Sequence, residues 1–154
     1  MIKVVRGDLL ESEAKYITHQ TNCISTGRAA GLARHLFDKF PHADTYANRE
    51  EMDKPGTIVV RGNGEDQRYV INLMGQRLPG GPGKYDSPQD RKSYFFKGLL
   101  EIAKIEDLES VAFPTFIGCG IGGGDWRVYL DLLLKFSDYV YEQQKCEVYL
   151  YHLT

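Results

Sequence analysis

What this chain has little of narrows its identity first. Cysteine is scarce: Cys23, Cys119 and Cys146 are the only three in 154 residues. An odd count without CxxC spacing supplies neither a disulfide framework nor a zinc site, and it suits a reducing compartment. The four histidines, His19, His35, His42 and His152, show no metal-ligand spacing, so no metal is expected; the chemistry expected below needs no redox cofactor either. An excess of charge of one sign is missing too. Nineteen basic against 21 acidic residues leave a net charge of −2, without the basic stripe of a general nucleic-acid binder. A local phosphate site is compatible with that balance, because backbone N–H groups and helix N-termini hold phosphate without net positive charge. No apolar run approaches the roughly 18 residues of a membrane span. No signal-peptide pattern opens the chain either, since Met1-Ile2-Lys3-Val4-Val5 runs straight into Arg6-Gly7-Asp8. The expectation is a cytoplasmic or nuclear monomer with no membrane partner.

What is there describes one ordinary domain over residues 1–154. A hydrophobic share of 42% and a charged share of 26% exclude disorder, and the length suffices for a real core. Strands are expected at 2–5, 16–19, 57–61, 69–74, 111–116 and 146–153. A polar loop is expected at 20–27 and a helix at 29–40, with another helical turn or two at 42–51. Gly62-Asn63-Gly64 reads as a hairpin turn. Residues 75–86, rich in Gly and Pro, read as a binding loop. Ser87-Pro88-Gln89-Asp90 is a helix start with a capping box. The helix that follows runs to about Lys104, with Phe96, Leu99, Leu100 and Ala103 facing the core. Asp125 caps a last helix with Tyr129, Leu132, Leu133, Phe136 and Val140 on its apolar face. Strands alternating with helices mean an α/β layered sheet, and the early hairpin makes it a mixed one.

Two glycine-bearing loops carry the chemistry. The run from Pro114 to Trp126 follows a strand, precedes a helix and holds five glycines among the seven residues 118–124. Ligands of open α/β sheets bind outside the carboxyl ends of the strands. Glycines there expose N–H groups as an anion nest, and the helix that starts near Trp126 adds partial positive charge. The run reads as a diphosphate cradle; a plain turn needs one or two glycines, not five. Thr26-Gly27-Arg28-Ala29-Ala30-Gly31-Leu32-Ala33 is a second small-residue loop that opens a helix, and it can form the facing wall.

Taken together, these motifs resemble the macro domain over nearly the whole chain. Arg6-Gly7-Asp8-Leu9 resembles that family's Gly-Asp-Ile/Leu signature. His19-Gln20-Thr21-Asn22 resembles its Asn-Ala-Ala-Asn segment at the final Asn. Ala29-Ala30-Gly31-Leu32-Ala33 resembles the first phosphate loop, and Phe113-Pro114 through Gly122 the second. The resemblance implies a three-layer α/β/α sandwich that binds ADP-ribose or an ADP-ribosylated macromolecule. It also implies roles. Asp8, with Leu9 beside it, would accept the adenine 6-amino group, and a carboxylate, unable to donate, would reject a carbonyl there. Asn22 would bond the distal ribose. The backbones of Gly31, Leu32, Gly118, Cys119, Gly120, Ile121 and Gly122 would hold the diphosphate. The plainer alternatives are a cap or turn for Asp8 and an Asx-turn for Asn22.

Departures from the pattern bear on catalysis. Gly122 stands where the family carries an aromatic against the distal ribose, and Ala29 and Ala30 replace two loop glycines. His19 replaces the first Asn, as in the His-x-x-Asn-Cys segment of yeast-type ADP-ribose-1″-phosphate phosphatases. Ile117-Gly118-Cys119-Gly120-Ile121 is similar to the Gly-Cys-Gly-Leu loop of terminal ADP-ribose glycohydrolases. The position of that branch's attacking lysine is taken by Gln76 and that of its acid by Gly122, so the lysine mechanism does not carry over. The catalytic candidates are therefore Asp125, as a water-orienting base at a helix N-terminus, and His19, for acid–base or nucleophilic work near neutral pH. Their alternatives are an N-cap and a structural histidine. Lys84 reads as a solvated loop lysine within reach of the site, and Cys119 as a small residue. The expected function is ADP-ribose binding with hydrolysis of an ADP-ribose derivative; the alternative is a catalytically silent reader of ADP-ribosylated targets.

Overall fold

The computed structural model of the chain describes residues 1–83 and 85–153. Six strands form one sheet: β1 (Ile2–Arg6), β2 (Tyr16–Asn22), β3 (Ile58–Arg61), β4 (Tyr69–Gln76), β5 (Ser110–Pro114) and β6 (Glu147–His152), in the order β1-β6-β5-β2-β4-β3. All pairings are parallel except that of β3 with β4. The carboxyl ends of β1, β2, β4, β5 and β6 therefore share one edge. The antiparallel exception is the hairpin that Gly62-Asn63-Gly64 turns. There the Asn63 Oδ1 accepts from the N–H groups of Glu65 and Gln67 at 2.9 and 3.0 Å.

Three helices complete the layers: α1 (Gly31–Lys39), α2 (Pro88–Ala103) and α3 (Trp126–Gln144). On one face, α2 and α3 press Phe95, Leu99, Ile102 and Leu133 onto Ile71, Leu73 and Phe113. On the other, α1 brings Leu36 and Phe37 against Ile17, Val70 and Ala112. The result is an α/β/α sandwich around a mixed sheet. The α2 capping box forms as its residue types require. Ser87 Oγ accepts from Asp90 N at 3.0 Å, and Asp90 Oδ2 accepts from Ser87 N at 2.9 Å.

Three expectations are corrected. β2 does not end at His19; it continues through Gln20, Thr21 and Asn22, because the β4 ladder satisfies the backbone of these polar residues. The stretch 42–51 is not helical beyond a single 3-10 turn over Pro41–Ala43. Asp44 Oδ1 there accepts from Tyr46 N and Ala47 N at 2.8 and 3.1 Å, a local bond that competes with helix. The inner face of α2 is also rotated. Phe95, Gly98, Leu99 and Ile102 are buried, whereas Phe96 and Leu100 are each 47% exposed. The apolar stripe of α2 is wide enough for either choice, and Gly98 decides it. A Cβ there would sit 2.6 Å from Leu73 Cγ, so this side of the helix can approach the sheet most closely.

Candidate functional site

A cavity of about 560 Å³ opens at the carboxyl ends of β2, β4 and β5, in the size range of small-molecule sites. Its walls are the start of α1, the loop after β5 and the loop after β4. The first two correspond to the two glycine-bearing loops, and the fold makes them face one cleft.

Backbone geometry arms both walls. Ala30, at the N-cap of α1, offers no side-chain cap. Among the described residues, the N–H groups of Leu32 and Ala33 have no partner. Uncapped first-turn N–H groups and the helix dipole make an anion site. In the loop after β5, Cys119, Gly123 and Gly124 donate to Phe116, Gly120 and Gly118 at 2.8, 3.1 and 3.0 Å. These bonds fold residues 116–124 back on themselves. The N–H groups of Gly120, Ile121 and Gly122 are left without a partner among the described residues. Gly31, Leu32, Gly118, Gly120, Ile121 and Gly122 all line the cavity.

Asn22 lies at the cavity wall with its side chain engaged. Its Oδ1 accepts from Ile24 N and Ser25 N at 3.1 and 2.8 Å, which is the Asx-turn, and its Nδ2 donates to the Tyr46 hydroxyl at 3.1 Å. One Nδ2 hydrogen remains for a ligand. His19 is 1% exposed. Asn72 Nδ2 donates to Ala43 O and Val59 O at 3.2 and 3.1 Å, so Asn72 Oδ1 must be the acceptor of the 2.6 Å contact with His19 Nε2. That fixes the Nε2–H tautomer and leaves Nδ1 a bare lone pair, unpartnered among the described residues. Burial pushes the imidazole pKa down to about 4. At neutral pH, His19 is thus an uncharged ring held edge-on against Phe37, and it is among the residues that line the cavity.

Asp125, Asp8, Leu9 and Cys119 are not among the lining residues of the cavity. Asp125 Oδ1 accepts from Arg127 N at 3.0 Å as the N-cap of α3. Asp8, an exposed residue, caps the 3-10 turn after β1, where Oδ1 accepts from Leu10 N at 2.9 Å. The Leu9 side chain is buried in the core under α1, which leaves only its backbone for a ligand. Cys119 packs against the core of α2 and α3, and burial pushes its thiol up to about 12, far from a reactive thiolate. Lys84 lies outside the described residues.

Other residues of the site are marked in the sequence only by position, as Gln76 is, or not at all. Gln76 does line the cavity, but its Oε1 accepts from Gln20 Nε2 at 2.8 Å and its Nε2 donates to Leu78 O at 2.8 Å. Phe116 lines the cavity, is 53% exposed, and sits at φ 62°. A bulky residue in the left-handed region is strained, and such strain clusters at functional sites. Trp126 backs the Phe116 ring at 5.4 Å and His152 flanks it at 6.5 Å. Behind the rim, Asp86 and Arg91 form an ion pair at 3.0 Å with both side chains buried. A lone Asp and Arg five residues apart across a helix start look like surface charges in a sequence.

No family model matches the sequence, and none of the curated proteins searched is similar enough to match it. Solved structures do match. The macrodomain of Mycobacterium tuberculosis DarG superposes with a TM-score of 0.75 at 24% identity, over 98% of this chain and 97% of that one. The macrodomain of Thermus aquaticus DarG gives 0.71 at 24% identity over the same shares. Thermosipho africanus DarTG, solved in complex with ADP-ribose, gives 0.70 at 18% identity, over 97% of this chain and 41% of that one. In its strand order, its layers and these likenesses, the chain has the fold of a macrodomain.

Proposed function

We propose that this chain binds ADP-ribose, free or as an ADP-ribosyl group on a macromolecule. The carrying observation is the pair of cleft walls with uncapped N–H groups, at Leu32 and Ala33 on one side and at Gly120, Ile121 and Gly122 on the other. Donors on two facing walls suit two linked phosphates better than one. In this reading the nucleobase lies over Phe116 towards the ends of β6 and β1, where the free oxygen of Asp8 and the N–H of Leu9 read its edge. The distal ribose lies by Asn22, and Gly122 leaves that wall open. Titration calorimetry tests the reading: ADP-ribose binds saturably and AMP more weakly. Equal affinity for the two would remove the case for a diphosphate cradle.

Hydrolysis of an ADP-ribose derivative is the second reading. Its support is the likeness of His19 through Cys23 and of Ile117 through Ile121 to hydrolytic branches of the family, with the space at Gly122. Against a carboxylate general base stands the lining itself, which holds no carboxylate among the described residues. Single-turnover assays on ADP-ribosylated protein, ADP-ribosylated DNA and ADP-ribose-1″-phosphate separate hydrolase from reader. Asp125 lies outside the cavity lining, with one oxygen in the α3 cap, so Asp125→Asn is expected to leave any turnover unchanged. A loss of about 100-fold or more would instead make Asp125 the base.

A further inference from the structure

Arg91 is 1% exposed, yet each of its five N–H donors has an acceptor. Nε donates to Asp86 Oδ1 at 3.0 Å. Nη1 donates to Gly80 O at 2.7 Å and Gly122 O at 3.2 Å. Nη2 donates to Gly81 O at 3.0 Å and Leu78 O at 3.4 Å. All four carbonyls belong to the two loops that rim the cavity, residues 77–83 and 116–124. Asp86 closes the first loop on itself: Oδ2 accepts from Arg77 N at 2.9 Å and its carbonyl from Gly83 N at 2.8 Å. The loops also touch directly. A Cβ on Gly123 would meet Pro82 Cδ at 2.6 Å, and one on Gly81 would lie 3.5 Å from Ile121 O.

We propose that the buried Asp86–Arg91 pair is a clasp that positions the anion-binding backbone of the cleft by holding the loop after β4 and the loop after β5 together. An anion site needs its carbonyl oxygens turned away from the ligand and its N–H groups turned towards it. The guanidinium does the first by drawing four rim carbonyls behind the loops, including that of Gly122. The N–H groups of residues 120–122 are then left to the cleft. Stability is a poor reason for such a pair, because a buried ion pair replaced by apolar residues is often neutral or better. Arg91 is a positioning residue: it acts through Gly80 and Gly122 and does not line the cavity. Lysine, with three donors on one atom, cannot serve these five acceptors.

The inference rests on the reading that the cleft takes a diphosphate, and the test separates the two. An Asp86→Asn/Arg91→Met double variant leaves no buried charge unpaired. It is expected to fold, to lose ADP-ribose affinity at least tenfold, and to keep its affinity for adenosine, which has no phosphate, within about twofold. Arg91→Lys falls between. Parental ADP-ribose affinity in the double variant, or an equal loss for both ligands, overturns the clasp. Hydrogen exchange on the unaltered protein decides independently of any variant's folding. The hydrogen-bonded amides of Arg77 and Gly83 on one loop and of Cys119, Gly123 and Gly124 on the other are expected to open together with one free energy, and separate opening overturns the clasp. If the unaltered protein binds no ADP-ribose, the functional reading falls and the exchange result alone judges the clasp.

Discussion

Single side chains in this cleft are committed more deeply than their types suggest. His19 shows it best. With its pKa near 4, against 6.5 in an exposed imidazole, the folded chain refuses a proton that the unfolded chain accepts. The folded value is depressed, so stability is full above about pH 6.5 and is lost progressively as pH falls towards 4. The loss grows to about 3 kcal/mol once both states have crossed their pKa values. Urea unfolding between pH 7 and pH 5 is expected to show this decline, and His19→Gln to remove that share of it. An undiminished slope in the variant would place the titrating group elsewhere. Phe116 offers the complementary case, an exposed aromatic held in a strained backbone. Phe116→Ala is expected to weaken nucleotide binding by about 1–3 kcal/mol, the scale of base stacking on an aromatic. Trp126 fluorescence, 5.4 Å behind the ring, is expected to report ADP-ribose binding in the parent.

At the scale of elements, local chemistry starts each helix and tertiary contact aims it. Ser87 and Asp90 bond reciprocally at 3.0 and 2.9 Å, so Ser87→Ala is expected to cost about 1 kcal/mol in denaturant unfolding, without changing ligand affinity. Gly98 is the counterpart on the buried side of α2. A methyl group added there would lie 2.6 Å from Leu73 Cγ. Gly98→Ala is therefore expected to destabilise by about 1–3 kcal/mol through overpacking, although alanine is the better helix former. A stabilised variant would show that α2 can retreat from the sheet freely. The uncapped start of α1 belongs to the same scale. A helix that leaves its first N–H groups bare over a cavity spends stability at a place where a ligand can return it.

For the molecule as a whole, binding and folding are linked. Ligand at about 100 times its Kd raises stability by about 2.7 kcal/mol, which for a chain of this size is a melting shift of roughly 5–10 °C. ADP-ribose is expected to produce that shift, with AMP producing less at equal concentration in the same thermal scan. Equal shifts would argue that only the nucleoside end is recognised.

Periodicity and local capping by themselves determined the α/β alternation, the hairpin at Gly62-Asn63-Gly64, the start of α2 and the two glycine-bearing loops, because these depend on neighbours in the chain. The order and spacing of four short motifs determined the fold resemblance. Tertiary structure alone decided the rest. It extended β2 through Gln20, Thr21 and Asn22, since only a partner strand satisfies a buried polar backbone. It chose between two apolar faces of α2 through one glycine's clearance. It took Asp125 out of the cavity lining and buried His19 against Asn72, 53 residues away. It also turned Asp86 and Arg91 from apparent surface charges into the link between two loops. Burial and long-range hydrogen bonds set the chemistry of a charged group, and neither is written in the residues beside it.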